Sequence, residues 1–236
     1  MGEAWFWRPW GELLRGVQTG TPPFDELYGV DLFQYCAQHA DGGALYDSAM
    51  TNATAMRATS AVAAYDFSSA RTVVDVGGGQ GGLLATILAA HPRARGILFD
   101  QPVVVAGAAE HLQAAGVAKR CQMSAGDFFE AVPAGGDVYT LSQIVHDWDD
   151  EQAARILAAC WRAMAPGTRL LLIEQVIPAG NDPHESKFLD LHMFVMHGGR
   201  ERTAEEYRAL LDTAGFTLTA IVPTATPWSV IEAVRY

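Results

Sequence analysis

The sequence predicts an α/β protein whose mostly parallel sheet is covered by helices on both faces. The first observation is the stretch RTVVDVGGGQGG at residues 71–82, in which a β-branched run reaches Asp75 and then breaks into closely spaced glycines. The apolar run LLATILAA follows at once and is typical of a helix. The second observation is that short β-rich runs alternate with helical patterns from residue 71 to the C-terminus. Strands separated by such helices indicate a doubly wound sheet.

The elements follow in order from the glycine corner. Strands are predicted at 73–76, 96–100, 120–127, 137–145 and 170–177, and helices at 83–90, 103–116, 149–164 and 204–215. The helix at 149–164 starts with acidic residues and ends before Pro166, which agrees with the helix dipole and with the effect of proline. The last two strands are predicted at 217–224 and 228–235. Their short link contains proline and indicates an antiparallel pair at one edge of the sheet.

The first seventy residues differ from the rest of the chain. They are predicted to be helical and carry many aromatic side chains, with Trp5, Trp7 and Trp10 close to the start. Two interpretations stay open: a helical cap on the α/β domain, or the remnant of a larger N-terminal element. We therefore divide the chain into a helical cap or linker at 1–70 and an α/β domain at 71–236.

Composition limits the possible functions. The chain has 236 residues, of which 50% are hydrophobic, so it can bury a large core. Its formal net charge of -11 argues against a nucleic-acid partner, which requires clustered Lys and Arg. No run approaches the ~18 apolar residues of a membrane span, and no signal peptide is visible. The three cysteines are scattered without metal-ligand spacing, so we expect buried, reduced thiols in a cytoplasmic protein.

The glycine corner is where α/β proteins hold a nucleotide-like cofactor, because glycines allow a tight turn and a close approach to the main chain. Gly77 and Gly79 fit both GxGxG and GxGxxG, so they do not by themselves name the cofactor. Asp100 ends the second strand, where a carboxylate binds ribose hydroxyls or, alternatively, caps the following helix. Asp127 and Phe128 close the third strand and suit an adenine ring, although they fit a turn followed by core equally well.

Six motifs in order resemble one family. They are DVGGGQG, FDQP, GDFF, IVHDWDDE, LLLIEQVIP and DLHMFVMHGGRERT. The chain from about Trp10 onward resembles the small-molecule O-methyltransferases of the caffeic acid type, including bacterial relatives that modify aromatic polyketides. The resemblance implies the class I methyltransferase fold, a Rossmann-like sheet of seven strands with the last pair antiparallel. It also implies S-adenosylmethionine as cofactor, S-adenosylhomocysteine as product and no metal.

The resemblance also assigns roles to residues. It implies that His146 deprotonates the acceptor hydroxyl, with Glu174 and Glu201 as its supporting carboxylates. Taken alone, Glu201 belongs to a charged run that would be a solvated helix start capped by Thr203. For the cofactor it assigns Gly77, Asp100, Asp127, Phe128 and Ser142, and the glycine corner adds Asp75 and Gly79. The acceptor pocket would be lined by Met50, His192, Met193 and Met196, although methionine at helical spacing is usually core.

These residues suit methyl transfer to a hydroxyl. The acceptor is expected to be a phenolic aromatic molecule such as a polyketide, whose proton a histidine can take because a carboxylate stabilises the imidazolium that forms. The alternative is a relative that binds S-adenosylmethionine but catalyses hydroxylation or decarboxylation. A nicotinamide-dependent oxidoreductase also fits the glycines, but it explains neither HDWDDE nor GGRERT. Full-length members are homodimers with a helical N-terminal domain. This chain starts after that domain and is expected to be monomeric or loosely self-associating.

Overall fold

Helices fill the first part of the chain, and the sheet begins at Thr72. The computed structural model describes residues 2–236, with the side chains at 40, 44 and 47–53 outside the description. The N-terminal helices are α1 (Ala4–Gly11), α2 (Leu13–Thr19), α3 (Pro23–Tyr28), α4 (Leu32–Gln38) and α5 (Ala40–Ala64).

From Thr72 onward, strands and helices alternate as the sequence predicts. The strands are β1 (Thr72–Val76), β2 (Arg95–Asp100), β3 (Cys121–Ala125), β4 (Val138–Ser142), β5 (Arg169–Ile177), β6 (Arg202–Thr203), β7 (Phe216–Pro223) and β8 (Trp228–Arg235). The helices are α6 (Gly82–Ala90), α7 (Pro102–Ala114), α8 (Asp150–Ala163), α9 (Glu185–His197) and α10 (Ala204–Thr213).

The sheet confirms the predicted fold class. Its order is β3-β2-β1-β4-β5-β8-β7, in which β1 to β5 are parallel and the pair β7–β8 is antiparallel. One short strand was not predicted: β6 has two residues and pairs with the end of β5, Val176 opposite Arg202 and Ile177 opposite Thr203. This pairing brings the charged run before α10 to the carboxyl end of β5.

The apolar core lies in two layers, one on each face of the sheet. Neighbouring strand residues point to opposite faces, so Val73 and Leu171 belong to one cluster, whereas Val74 and Leu172 belong to the other. The first cluster includes residues of α5 and α6, and the second includes residues of α8 and α10. Both faces are therefore covered, as the near-continuous apolar runs of the parallel strands require.

Helix α9 was not predicted, because its apolar residues do not form a single stripe. It packs against β5 on one side and against α3 on the other, so it needs apolar residues in more than one direction. Val195 and Met196 of this helix join Phe6, Phe24 and Leu32 in a third cluster. The helix thereby ties the N-terminal helices to the sheet. Within residues 2–236, no helix combines the length and the apolar character needed to cross a membrane.

Candidate active site

The carboxyl ends of β1, β2, β4 and β5 form one edge of the sheet, and most of the predicted site residues lie there. Ligands of doubly wound sheets bind at this edge, because the loops that leave parallel strands meet there. Two groups of residues can be distinguished. The glycine corner is Asp75–Gly82, between β1 and α6. The base cluster is His146, Asp147, Glu174 and Glu201, which come from three separate segments.

The glycine corner has no room for side chains at its first two glycines. Gly77 has a φ of 66°, and a Cβ there would lie 2.6 Å from Ile144 Cδ1. A Cβ on Gly78 would lie 2.5 Å from Leu98 Cδ1 and 2.7 Å from Asp75 Oδ2. Gly79 has a φ of 59° but faces open space. A side chain at Gly77 or Gly78 would therefore require neighbouring side chains to shift, and glycine also suits the positive φ values of Gly77 and Gly79.

Asp75 is buried beneath these glycines. Its Oδ1 accepts a hydrogen bond of 2.7 Å from the hydroxyl of Thr140, whereas its Oδ2 has no partner among the described residues. Burial raises the pKa of Asp75 to about 7, although the Thr140 hydrogen bond acts in the opposite direction. A buried carboxylate oxygen without a partner is costly unless a ligand supplies a donor.

The predicted ribose and adenine residues lie beside the corner. Asp100 accepts hydrogen bonds from the backbone N–H groups of Gly79, at 2.8 Å, and Gln101, at 2.7 Å, and burial nevertheless raises its pKa. Each of its oxygens keeps a second acceptor position. Asp127 is exposed and accepts from the N–H of Phe129. The Phe128 ring approaches the glycines, since a Cβ on Gly77 would lie 3.5 Å from its Cε1.

A cavity of about 740 Å³ opens at the corner, within the ~300–1,000 Å³ of small-molecule sites. Gly77, Gly79 and Ser142 line it, together with Arg57, which the sequence analysis did not identify. Arg57 reaches down from α5, and its Nε donates to the Ser142 hydroxyl at 3.0 Å. Burial lowers the pKa of this guanidinium, although Glu174, Asp147 and Asp75 act against that shift. The cavity thus contains a buried cation near buried carboxylates.

Glu174 anchors the turn that follows β4. Its Oε1 accepts from the backbone N–H groups of Ile144, at 3.1 Å, and Val145, at 3.0 Å, and its Oε2 accepts from Gln143 Nε2 at 2.9 Å. Gln143 has a φ of 57°, the only described residue other than glycine with a positive φ. That strained backbone directs the two following N–H groups toward Glu174. The carboxylate therefore determines the path of the chain into His146.

His146 follows in a single 3-10 turn, and its ring is buried. Its Nδ1 lies 2.6 Å from Oε1 of Glu201, a short charge-assisted contact that leaves Nε2 as the available basic nitrogen. Glu201 is fully buried, so the alternative of a solvated charged run does not apply to this residue. Thr203 does cap α10 as predicted, in a capping box with Glu206. The pairing of β6 with β5 turns Glu201 inward instead of toward solvent.

Asp147 faces the other side of the imidazole. Its Oδ1 lies 3.5 Å from His146 Nε2 and 3.7 Å from His197 Nδ1. Burial alone would lower the pKa of His146, but Glu174, Asp147 and Glu201 outweigh it and raise that pKa to about 9. Burial raises the pKa of Asp147 to about 7 and lowers that of His197 to about 3. The cluster thus stabilises an imidazolium at His146, while His197 stays neutral.

The base cluster also has the composition of a metal-ligand set. One ligand atom each from His146, Glu174 and Glu201 lie within 4.8 Å of one another. However, the Glu174 oxygens already accept three N–H hydrogen bonds, and Glu201 Oε1 is engaged by the imidazole. The bonds of Glu174 to the turn before His146 and the bond of Glu201 to the imidazole account for the close approach. A chelator experiment tests the metal alternative directly.

The predicted acceptor-pocket residues lie on the other side of the base cluster, on α9 and α5. His192 packs against the rings of Phe6, at 5.3 Å, and Trp10, at 5.8 Å, and burial lowers its pKa to about 4. Met193 and Met196 are buried, and Met196 belongs to the cluster with the N-terminal helices. The side chain of Met50 lies outside the described residues. Their roles toward an acceptor stay a prediction.

Sequence reasoning missed Arg57, Gln143 and Asp147. Asp147 stands within the HDW motif, so its position beside the base was a usable signal. The role of Gln143 could not be predicted, because neither this residue nor its neighbours indicate a positive φ at that position. Arg57 lies in a long helix far from any motif, and only the packing of α5 on the sheet brings it to the cavity.

Comparison with known proteins places this geometry among characterised relatives. A family model described as "O-methyltransferase domain" matches residues 10–217. Phenazine O-methyltransferase PhzM from Lysobacter antibioticus is 46% identical over 227 residues, which cover 96% of this chain and 67% of that protein. A 3-amino-4-hydroxybenzoate 4-O-methyltransferase from Streptomyces cremeus is 45% identical over 217 residues. Those residues cover 92% of this chain, which spans only 59% of that relative's length.

A solved structure with a similar fold contains ligands. It is an O-methyltransferase, NcsB1, from neocarzinostatin biosynthesis, in complex with S-adenosyl-L-homocysteine and 1,4-dihydroxy-2-naphthoic acid. It superposes with a TM-score of 0.87 at 34% identity, over 97% of this chain and 68% of that one. All three relatives are named methyltransferases. The comparisons therefore give no support to the hydroxylation, decarboxylation or nicotinamide alternatives.

Proposed function

Since the chain belongs to the O-methyltransferase domain family, as the six motifs predicted, we propose that it transfers a methyl group from S-adenosylmethionine to an aromatic hydroxyl. The acceptor we propose is a phenolic small molecule of the polyketide type, with His146 as the general base. The observation that carries this proposal is the contact of 2.6 Å between His146 Nδ1 and Glu201, which makes Nε2 the nitrogen that takes a proton when the imidazole is neutral.

The residues of the glycine corner fit the cofactor. The unpaired Oδ2 of Asp75 lacks the donor that an ammonium group supplies, and the buried guanidinium of Arg57 matches a carboxylate. Asp100 has free acceptor positions for ribose hydroxyls, while Asp127 and Phe128 suit the adenine. A Cβ on Gly77 or Gly78 would collide with the walls of the corner. We propose that Ser142 and Gly79 complete this site.

The protein has two tasks in this reaction, to remove a proton and to align the acceptor. When bound, the cofactor supplies a methyl group on a sulfonium, which is already electrophilic. The Nε2 of His146 takes the proton of the acceptor hydroxyl, and Glu201 stabilises the imidazolium through Nδ1. A free phenol has a pKa of ~10, so removal of its proton needs a base that is held in position. Such a base contributes ~10²–10⁴-fold to the rate.

The N-terminal residues and the residues near the acceptor also receive proposed roles. We propose that residues 1–70 cap the catalytic domain formed by 71–236 and that the protein is cytoplasmic. Large exposed side chains on the N-terminal helices, such as Trp7, Leu14 and Phe33, support loose self-association. His192, Met193 and Met196 are proposed to shape the acceptor side of the base cluster.

The function is tested by comparing binding with transfer. We expect S-adenosylhomocysteine to bind wild type, His146→Gln and His146→Ala equally in titration calorimetry, because the corner does not depend on the imidazole. With methyl-labelled S-adenosylmethionine and a panel of phenols and hydroxylated polyketide aromatics, both variants should lose ~10²–10⁴-fold in transfer. If the wild type does not bind S-adenosylhomocysteine, the proposed cofactor is wrong. If His146→Gln transfers the methyl group as fast as wild type, His146 is not the general base.

A chelator distinguishes a metal-free general base from a metal site at the same residues. Transfer by the wild type should be the same with and without EDTA. If EDTA abolishes transfer and a divalent cation restores it, His146, Glu174 and Glu201 are instead the ligands of a metal ion.

A further inference from the structure

The base and its carboxylate come from two segments that are 55 residues apart in the chain. His146 lies in the turn Val145–Asp147, whereas Glu201 lies between α9 and β6. Only non-covalent contacts keep Nδ1 and Oε1 at 2.6 Å. The two segments approach closely: the N–H of Arg200 donates to the carbonyl of His146 at 2.9 Å, and a Cβ on Gly199 would lie 2.0 Å from that oxygen.

Arg202 spans these two segments. Its side chain is 0% exposed, and its Nη1 donates to the carbonyl of Val145 at 3.0 Å, while its Nη2 donates to that of Trp148 at 2.9 Å. These two carbonyls lie on either side of the His146–Asp147 pair in the chain. Nη1 also lies 3.3 Å from the carbonyl of Arg200, and Nε donates to Asp150 at 2.9 Å.

We propose that Arg202 is a positioning residue that clamps the turn carrying His146 against the segment carrying Glu201, and so maintains the Nδ1–Oε1 contact. The proposal rests on the proposed function and extends it to a residue that touches neither cofactor nor acceptor. The planar guanidinium is suited to this task, because its donors point in fixed directions toward three carbonyls and one carboxylate.

Lysine is the informative replacement. Arg202→Lys keeps the positive charge, so the electrostatic effect of the cation on the imidazole stays similar. However, one ammonium group cannot reach Val145, Trp148 and Asp150 together. Arg200→Lys is the matched control, because Arg200 lies in the same segment and pairs with Asp150 and Glu206, but its side chain is 42% exposed.

The measurement is the titration of His146 by NMR on protein labelled with ¹⁵N at histidine, with His146→Gln used to assign the resonance. We expect the pKa of His146 to fall by about one unit in Arg202→Lys, because a charged partner at short range accounts for ~1–3 units. In Arg200→Lys it should move by less than about 0.3 units, the usual size of a surface effect. S-adenosylhomocysteine should bind both variants as it binds wild type.

Activity supplies a second readout. In Arg202→Lys, we expect kcat to fall about 10- to 100-fold with KM for the acceptor unchanged, the loss typical of a group that orients a functional ligand. If wild type transfers no methyl group to any phenol, the proposed function fails, while the NMR titration still decides the role of Arg202. An unchanged His146 pKa in a folded Arg202→Lys protein would show that Arg202 only stabilises the fold.

Should Arg202→Lys fail to fold, Asp150→Asn decides the question. The Asp150 side chain is 60% exposed, and the buried guanidinium of Arg202 keeps the carbonyls of Val145, Arg200 and Trp148 as acceptors when this carboxylate is replaced by an amide. The guanidinium then keeps its carbonyl partners but loses the carboxylate that orients it. We expect a smaller fall of the His146 pKa in the same direction, and no fall would overturn the proposal.

Discussion

The glycine corner and the base cluster share one edge of the sheet, yet different parts of the chain hold them in place. The corner is a contiguous stretch whose shape follows from glycine φ values and from the strand that precedes it. The base cluster joins residues from three distant segments through side-chain hydrogen bonds. The two regions meet where Gly77 approaches Ile144. Local backbone therefore shapes the glycine corner, whereas tertiary packing assembles the base cluster.

This difference makes the two regions separable by mutation. A change in the base cluster should alter proton transfer and leave cofactor binding intact, because the corner is stabilised by its own backbone. A change in the corner should do the reverse. Substitutions in each region test that separation, and an effect that crosses from one region to the other would show that the edge behaves as a single unit.

The largest effect is expected for Glu201→Gln. The variant keeps the shape of the side chain but removes the charge that stabilises the imidazolium, so transfer should fall on the order of 10²-fold, within the ~10²–10⁴ that a positioned base supplies. The pH profile of kcat/KM should change as well. Activity rises with pH as His146 loses its proton, and the rise should move to lower pH because one of the carboxylates that raise this pKa is gone.

The control for this variant is Glu205→Gln, which removes an exposed charge four residues further on. It should leave both the rate and the pH profile unchanged. Weaker binding of S-adenosylhomocysteine by Glu201→Gln would contradict the separation of the two regions.

The next effect is expected for Gly78→Ala in the corner. Its methyl group would collide with Leu98 and with the unpaired oxygen of Asp75. Overpacking of this kind costs about 1–3 kcal/mol, so the Kd for S-adenosylhomocysteine should rise roughly 10- to 100-fold. The pKa of His146, measured by NMR, should stay the same. Gly79→Ala is the comparison, because its methyl group meets open space and only the positive φ opposes it. Equal losses in both variants would exclude the collision as the cause.

The two regions also differ in how far the sequence predicts them. The strand, the glycines and the helix of the corner are adjacent in sequence, so their pattern predicts the local geometry, and the alternation of strands and helices predicts a mostly parallel sheet. The family resemblance implied Glu201 as a partner of His146, but no local pattern indicates this pairing. Glu201 lies in the run RER, which by composition belongs at the surface. It is buried because β6 pairs with the end of β5 and because Arg202 takes up the carbonyls of the neighbouring turn.

The position of Arg57 and the helix α9 are two further features that local sequence patterns do not predict. The cavity obtains its guanidinium from a helix that precedes the sheet, and no local pattern in that helix indicates a ligand. The apolar residues of α9 face two layers at once, so their periodicity does not identify the helix. Long-range packing determines both features, and only the folded chain displays it.

The smallest effect is expected on stability, for Asp75→Asn. Burial raises the pKa of Asp75 to about 7, which means that the folded protein binds this proton more tightly than the unfolded chain does. Above the unfolded pKa of ~3.9, the charge therefore opposes folding increasingly, until the group is fully ionised above about pH 7. Asparagine has no such charge, so Tm should rise by a few degrees at pH 8, given ~2–4 °C per kcal/mol, and by less at pH 5.

The same substitution should weaken S-adenosylhomocysteine binding about tenfold, because the ammonium group loses a charged acceptor. Thermal melts at pH 5 and pH 8, with Asp212→Asn as the exposed control, provide the comparison. A gain in stability combined with a loss of affinity would mean that the corner keeps an unfavourable buried charge because the cofactor needs it. Lower stability at both pH values would instead make Asp75 a structural partner of Thr140. The base cluster and the corner would then both depend on side-chain hydrogen bonds for their shape.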